Sequence, residues 1–146
     1  MLIAAFSASA CGGPPPPPFK PLVDNKLLMQ AVVDPNADII WDAVKTIMTT
    51  EGDQDIRPKT DEEWAAVRNA AVTVAESGNL MMMAPRAKDS GEWMQRAQEM
   101  ITAGEEAMRA ADARNAEKLF TVGGDLYDSC TNCHRKYVDA IVNANK

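Results

Sequence analysis

Close to the C-terminal end stand Cys130-Thr131-Asn132-Cys133-His134, two thiols two residues apart with an imidazole directly after the second. This spacing is the attachment signature of a c-type haem. Each thiol can add across one vinyl group of the porphyrin to give a thioether, and the adjacent imidazole reaches the iron from the same side. A protein histidine is an established ligand of haem iron. His134 is the only histidine in 146 residues, so a proximal imidazole has no other source.

Other uses of the same residues fit less well. A thioredoxin-like dithiol follows a strand in a βαβ setting, and the sequence offers no strand pattern. A structural zinc site takes four ligands, usually a second pair of Cys or His at similar spacing. Beyond Cys130, Cys133 and His134 only Cys11 remains, far away in the chain. A disulfide across two residues is strained if the segment is helical. The expected cofactor is therefore one covalent haem c.

Composition narrows the partners. Fifteen basic residues against 21 acidic ones give a formal charge of −6. Phosphate backbones need a basic surface, so the charge balance argues against nucleic acid as a partner. No paired carboxylates, Ser–His arrangement or phosphate-binding loop points to an enzyme. The length suits one domain.

The first ten residues, ending in Ala8-Ser9-Ala10, form a signal-like apolar run. Cys11 and Gly12-Gly13 follow, which resembles the lipid-attachment site of bacterial lipoproteins, although ordinary signal cleavage after Ala10 suits the same residues. Lipidation of Cys11 would leave no lone exposed thiol outside the cytoplasm. Residues 11–21 then read as a lipid-attachment cysteine and a tether. The five prolines Pro14–Pro18 form a polyproline II rod of about 15 Å, at about 3.1 Å per residue. No later stretch is apolar for long enough to span a bilayer. Haem attachment to this motif in bacteria takes place outside the cytoplasmic membrane. The expectation is a periplasmic lipoprotein held to the membrane by its anchor.

Residues 22–146 read as helix throughout. A first helical region carries one apolar patch at Leu27, Leu28, Met29, Val32 and Val33 and another at Ile40, Trp41, Val44, Ile47 and Met48. Asp34-Pro35 between them implies one kinked helix or two short ones meeting at Asp34. A loop over about 52–59 follows. A second helix opens at Thr60, with Glu63 completing a capping box. Its inward residues Trp64, Val67, Ala71, Val74, Gly78 and Met81 recur every three or four positions, and Pro85 ends it. A third opens near Asp89 or Ser90 with Glu92 as a second box, and buries Trp93, Ala97, Met100, Gly104, Ala107 and Ala111. The fourth starts near Asn115 and runs to about Ala144, with Leu119, Gly123, Leu126, Cys130, Cys133, Tyr137 and Ile141 on one stripe. Met81-Met82-Met83 and the three tryptophans read as core packing. Arg86, Lys118, Arg135 and Lys136 are candidate partners for haem propionates.

Helices joined by short connections, with the haem motif late in the last one, resemble the cytochrome c-prime (class II cytochrome c) family. The segment Gly123-Gly124-Asp125-Leu126-Tyr127-Asp128-Ser129-Cys130-Thr131-Asn132-Cys133-His134-Arg135-Lys136-Tyr137 is similar to that family's last helix. The resemblance implies an all-α antiparallel four-helix bundle with covalently bound haem. It also implies redox partner proteins and a homodimer through the first two helices. In that family the first helix covers the distal face of the haem, which makes Met29 the candidate sixth ligand. Met–His ligation suits an electron carrier. The family also includes five-coordinate members, so binding of NO or CO behind an apolar lid of Leu28 or Met29 is the alternative. A peroxidase would need a distal histidine, and none remains.

Overall fold

The computed structural model describes residues 19–138, so the signal-like segment, Cys11, Pro14–Pro18, Ile141 and Ala144 lie outside it. The described chain is mostly helical. Helix α1 (Asn25–Leu28) runs through a π-helical turn (Met29–Val33) into α2 (Asp34–Ala43). Asp24 caps the start, its carboxylate accepting from the Leu27 N–H at 2.8 Å. Asp34-Pro35 neither caps nor breaks this path. Asp34 has helical angles and donates its own N–H to the Met29 carbonyl, five residues back. The widened turn takes up the missing proline donor, as π-turns inside helices do. Asn36 Nδ2 donates to the Val32 carbonyl at 2.8 Å.

The second apolar patch does not stay helical. Helix α2 ends at Ala43, and β1 (Lys45–Thr49) pairs antiparallel with β2 (Gly52–Ile56), Lys45 opposite Ile56 and Thr49 opposite Gly52. This corrects both the all-helical expectation and the loop expected over about 52–59. The cause is local. Thr46, Ile47, Thr49 and Thr50 are β-branched and favour extended chain, while Gly52 leaves the turn at φ 125°, a region that side chains resist. Ile47 and Met48, which continued the apolar spacing of the helix, are exposed.

Helix α3 (Asp61–Met82) opens on the expected capping box. Thr60 Oγ1 accepts from the Glu63 N–H, and the Glu63 carboxylate accepts from the Thr60 N–H. Helix α4 (Glu92–Asp112) differs from expectation at its start. Gly91 is the cap residue, and Asp89 Oδ1 accepts from the N–H groups of Gly91 and Trp93 at 2.8 and 3.0 Å. Glu92 is left free for ion pairs. The two helices run antiparallel, with Arg68 near Asp112, Ala75 against Gly104, and Met81 joined to Trp93. They approach closely because two glycines meet the neighbouring helix. A Cβ on Gly104 would lie 2.9 Å from the Ala75 nitrogen, and one on Gly78 would strike the Ile101 side chain.

A tight turn leads into α5 (Ala116–Tyr137). Arg114 adopts φ 51°, its N–H bonds the Ala111 carbonyl, and the Asn115 N–H bonds the Ala110 carbonyl. This pairing closes a helix C-terminus. Asn115 then caps α5, accepting from the Lys118 N–H at 2.9 Å. The described part of α5 packs antiparallel on α4, while its contact with α2 is sparser. Ile40, Val74, Leu119, Val122 and Leu126 fill the shared core, and Trp64 and Trp93 are buried with them as expected.

Gly104→Ala should destabilise the fold by about 1–3 kcal/mol, the usual cost of forcing extra volume into a close contact. A urea titration should show a lower midpoint at unchanged slope.

Candidate functional site

At 3.6 residues per turn, Cys133, Cys130 and His134 fall within an arc of about 100° on α5, with Cys130 in the middle. Both thiols are unpaired and half-buried, and both pack on the core cluster. His134 is exposed. Gly123, Tyr127, Cys130 and His134 lie on one line along the helix at steps of four, three and four. The upper part of that line faces α2, where Trp41 Nε1 donates to the Gly123 carbonyl at 2.9 Å. The Trp41 ring also meets Tyr127 edge-on at 6.1 Å. A Cβ at Gly123 would sit 3.4 Å from Trp41 Cδ1, at ordinary contact distance.

The same antiparallel register continues to the thiols. Asp34 lies close enough to help hold the Cys130 thiol pKa up. Met29 lies in the π-helical turn five residues before Asp34, and His134 four residues after Cys130. Met29 is half-buried against the core, whereas Leu28 is only 2 % exposed. The turn's main tertiary packing is on α3.

Burial raises the pKa of both thiols. For Cys130 the burial is opposed by the neighbouring Ser129 and reinforced by Asp34. Cys133 is pushed up to about 11, chiefly by burial and then by Cys130. Arg96 opposes that rise, and Glu99 and Glu92 add to it. At neutral pH both are therefore neutral thiols.

The last turn of α5 is tied down by residues that the sequence did not single out for this purpose. Tyr137 donates its hydroxyl to Asp89 Oδ2 at 2.6 Å. Its ring packs edge-on against Trp93 at 4.9 Å, and Trp93 Nε1 donates to the Met81 carbonyl at 2.9 Å. Lys136 pairs with Glu92 at 3.1 Å, and Glu92 and Glu99 both hold Arg96. Asp89 was legible only as a helix cap, because its second partner lies 48 positions away in the sequence.

Of the candidate propionate partners, Lys136 is engaged with Glu92 and Lys118 with Glu106. Arg135 is exposed. Arg86 is buried, and it donates to the Val23 and Leu80 carbonyls at 3.1 and 3.3 Å, joining the start of the described chain to the end of α3. Met81 is buried and Met82 and Met83 half-buried, as packing residues. Among the described residues no three His, Cys, Asp or Glu side chains converge as they would on a single ion. Cys11 lies outside the described residues. No helix among the described residues is long and apolar enough to cross a membrane.

Comparisons with protein-family models, curated proteins and solved structures find no match.

The Tyr137–Asp89 bond works between two limits. Hydrogen bonds from Tyr137, Trp93 and Gly91 hold the Asp89 carboxyl below its ordinary range. Its contribution is present above the ordinary Asp value and is lost as pH falls through the depressed one. Burial and the Asp89 bond push Tyr137 up to about 12. Its contribution is complete below the ordinary tyrosine value of about 10 and is lost as pH rises towards 12. Tyr137→Phe should therefore lower stability at neutral pH and flatten the loss at alkaline pH relative to wild type. Thermal melts across pH 3–12 check this.

Proposed function

We propose that this chain is an exported c-type cytochrome, an antiparallel four-helix bundle that carries one covalent haem and passes electrons between redox partner proteins. The observation that carries the reading is the placement of Cys130, Cys133 and His134 on one face of α5, with unpaired thiols at the core margin and the imidazole beside them. In this reading Cys130 and Cys133 hold the haem by thioether bonds and His134 is the proximal iron ligand. Such a group, when bound, supplies a one-electron iron couple.

The chain's own residues do the rest. Cys130 and Cys133, kept as neutral thiols by burial, would each hold the group through one thioether bond. The Tyr137–Asp89 and Lys136–Glu92 pairs fix the turn that bears His134, and so the direction from which the imidazole approaches. Met29, in the π-helical turn that leads into α2, is the candidate sixth ligand. Acyl chains on Cys11 would hold the domain at the periplasmic face of a membrane, each buried methylene giving about 0.8 kcal/mol.

A second reading has its own observation. Leu28 lies deeper in the core than Met29. That favours an apolar lid over five-coordinate iron and the binding of NO or CO. The visible spectrum separates the two. The carrier reading requires low-spin iron in the wild type, with Met29→Ala turning it high-spin and opening it to carbon monoxide. A wild type that is already high-spin and binds carbon monoxide readily replaces the carrier with the gas binder.

Two further outcomes are expected. Wild-type protein should keep its haem through acidified-acetone extraction, and Cys130→Ala with Cys133→Ala should lose it and fold poorly, since a ligand bound only by the native state stabilises that state. The full chain should fractionate with membranes, and Cys11→Ser should release it to the soluble periplasmic fraction. An unmodified N-terminal peptide beginning at Cys11 in mass spectra would contradict the anchor.

A further inference from the structure

Read back towards the N-terminus, the buried residues Ile40, Ala37 and Val33 follow one another at helical steps of three and four. The next buried residue is Leu28, five positions before Val33. An α-helix returns to the same face after three or four residues, so a step of five is foreign to it. Here the step belongs to the π-helical turn, in which the Asp34 N–H reaches the Met29 carbonyl five residues back. In an unbroken α-helix the place that Leu28 holds would fall to Met29, four before Val33. Leu28 would turn away by about 100°. The form of one turn thus decides which of two neighbouring side chains is packed inside. As it stands, Leu28 is 2 % exposed and Met29 is half-buried at the edge of the core.

Pro35 favours the π form. In the α form its ring would press on the Ala31 carbonyl and offer it no N–H. The extra residue of the wider turn removes that conflict. Gln30 and Ala31 are exposed, so the extra residue is not there to fill the core. Ties on both flanks fix what the turn must join. Trp41 Nε1 donates to the Gly123 carbonyl on the α2 side. On the α1 side Asn25 Nδ2 donates to the Arg86 carbonyl at 2.8 Å, and Arg86 Nε to the Val23 carbonyl at 3.1 Å.

We propose that Pro35 acts as a selector: by holding the Met29–Val33 turn in its π form, it packs Leu28 rather than Met29 against the bundle interior. The selection concerns the chain alone. Only its consequence rests on the cytochrome reading, in which Leu28 is the lid of one alternative and Met29 the sixth ligand of the other. Pro35 would then choose between them.

The test labels the full chain, kept in solution by Cys11→Ser, with hydroxyl radicals and locates the modified side chains by tandem mass spectrometry. With Pro35 in place, Leu28 should be protected like Leu119, and Leu27, 47 % exposed, should react. Pro35→Ala should expose Leu28 to the label and protect Met29. Deleting Ala31 while keeping Pro35 puts Leu27 five positions before Val33. Leu27 should then be protected and Leu28 react, one leucine replacing another so that the core keeps its composition. Joining both changes puts Leu28 four positions before Val33 and should restore its protection. The far-ultraviolet helix signal should be retained throughout. Leu28 still protected in the Ala31 deletion, or in Pro35→Ala, would overturn the proposal, because the ties at Arg86 and Trp41 would then suffice to set the turn. A chain without haem would defeat the cytochrome reading and leave these protections as they stand, so the two failures are told apart.

Discussion

The candidate site depends on the rotation and height of α5. A helix held only by a greasy face can turn by a residue or slide by part of a turn at modest cost, and either change would carry the thiols off the core margin. Here the two ends of α5 are fixed by different means. The Arg114–Asn115 closure and the Asn115 cap set its start. The Tyr137–Asp89 bond, the Trp93 contact and the Lys136–Glu92 pair set its end. Between them the Trp41–Gly123 bond faces the middle of the helix to α2. With three points fixed, Cys130, Cys133 and His134 have one available orientation.

Those fixings are polar, but they work on a frame made by close packing of small residues. Gly78 and Gly104 let α3 and α4 approach, and the run of alanines on α4 (Ala97, Ala103, Ala107, Ala110 and Ala111) keeps that face narrow. Asp89, at the start of α4, is then near enough to serve its own helix and to hold Tyr137. Its carboxylate stays charged because three donors converge on it. The contrast with the α2–α5 seam is instructive. There the packing is sparser, the apolar surface is less complete, and the face of α5 that bears His134 remains accessible.

Much of this was legible in the sequence. Thr60 with Glu63, and Asn115, announced two helix starts by side-chain chemistry that acts within one turn. The three-and-four spacing of Trp64, Val67, Ala71 and Val74 identified a buried face. The Cys–Cys–His spacing is the ground of the proposed chemistry, and the structure adds that the three residues share one face of α5. The errors came where local preference and apolar spacing disagreed. Ile47 and Met48 continued a helical pattern, but the surrounding threonines and Gly52 preferred a hairpin. At Asp34-Pro35 the choice between kink and break missed the π-turn, whose hydrogen bonds follow from how α1 and α2 sit on their neighbours. The Asp89–Tyr137 bond and the backbone role of Arg86 join positions 48 and 63 apart, and no local pattern encodes such pairings.

The central claim is that Cys130 and Cys133 are thioether-bonded to one haem. The most direct measurement is the intact mass of the protein, produced in a bacterial host with working haem attachment, denatured and treated with a thiol-alkylating reagent. The claim predicts the mass of the chain plus one haem, with the peptide that contains Cys130 and Cys133 free of alkylation. A chain without added haem, alkylated at both residues, would contradict it.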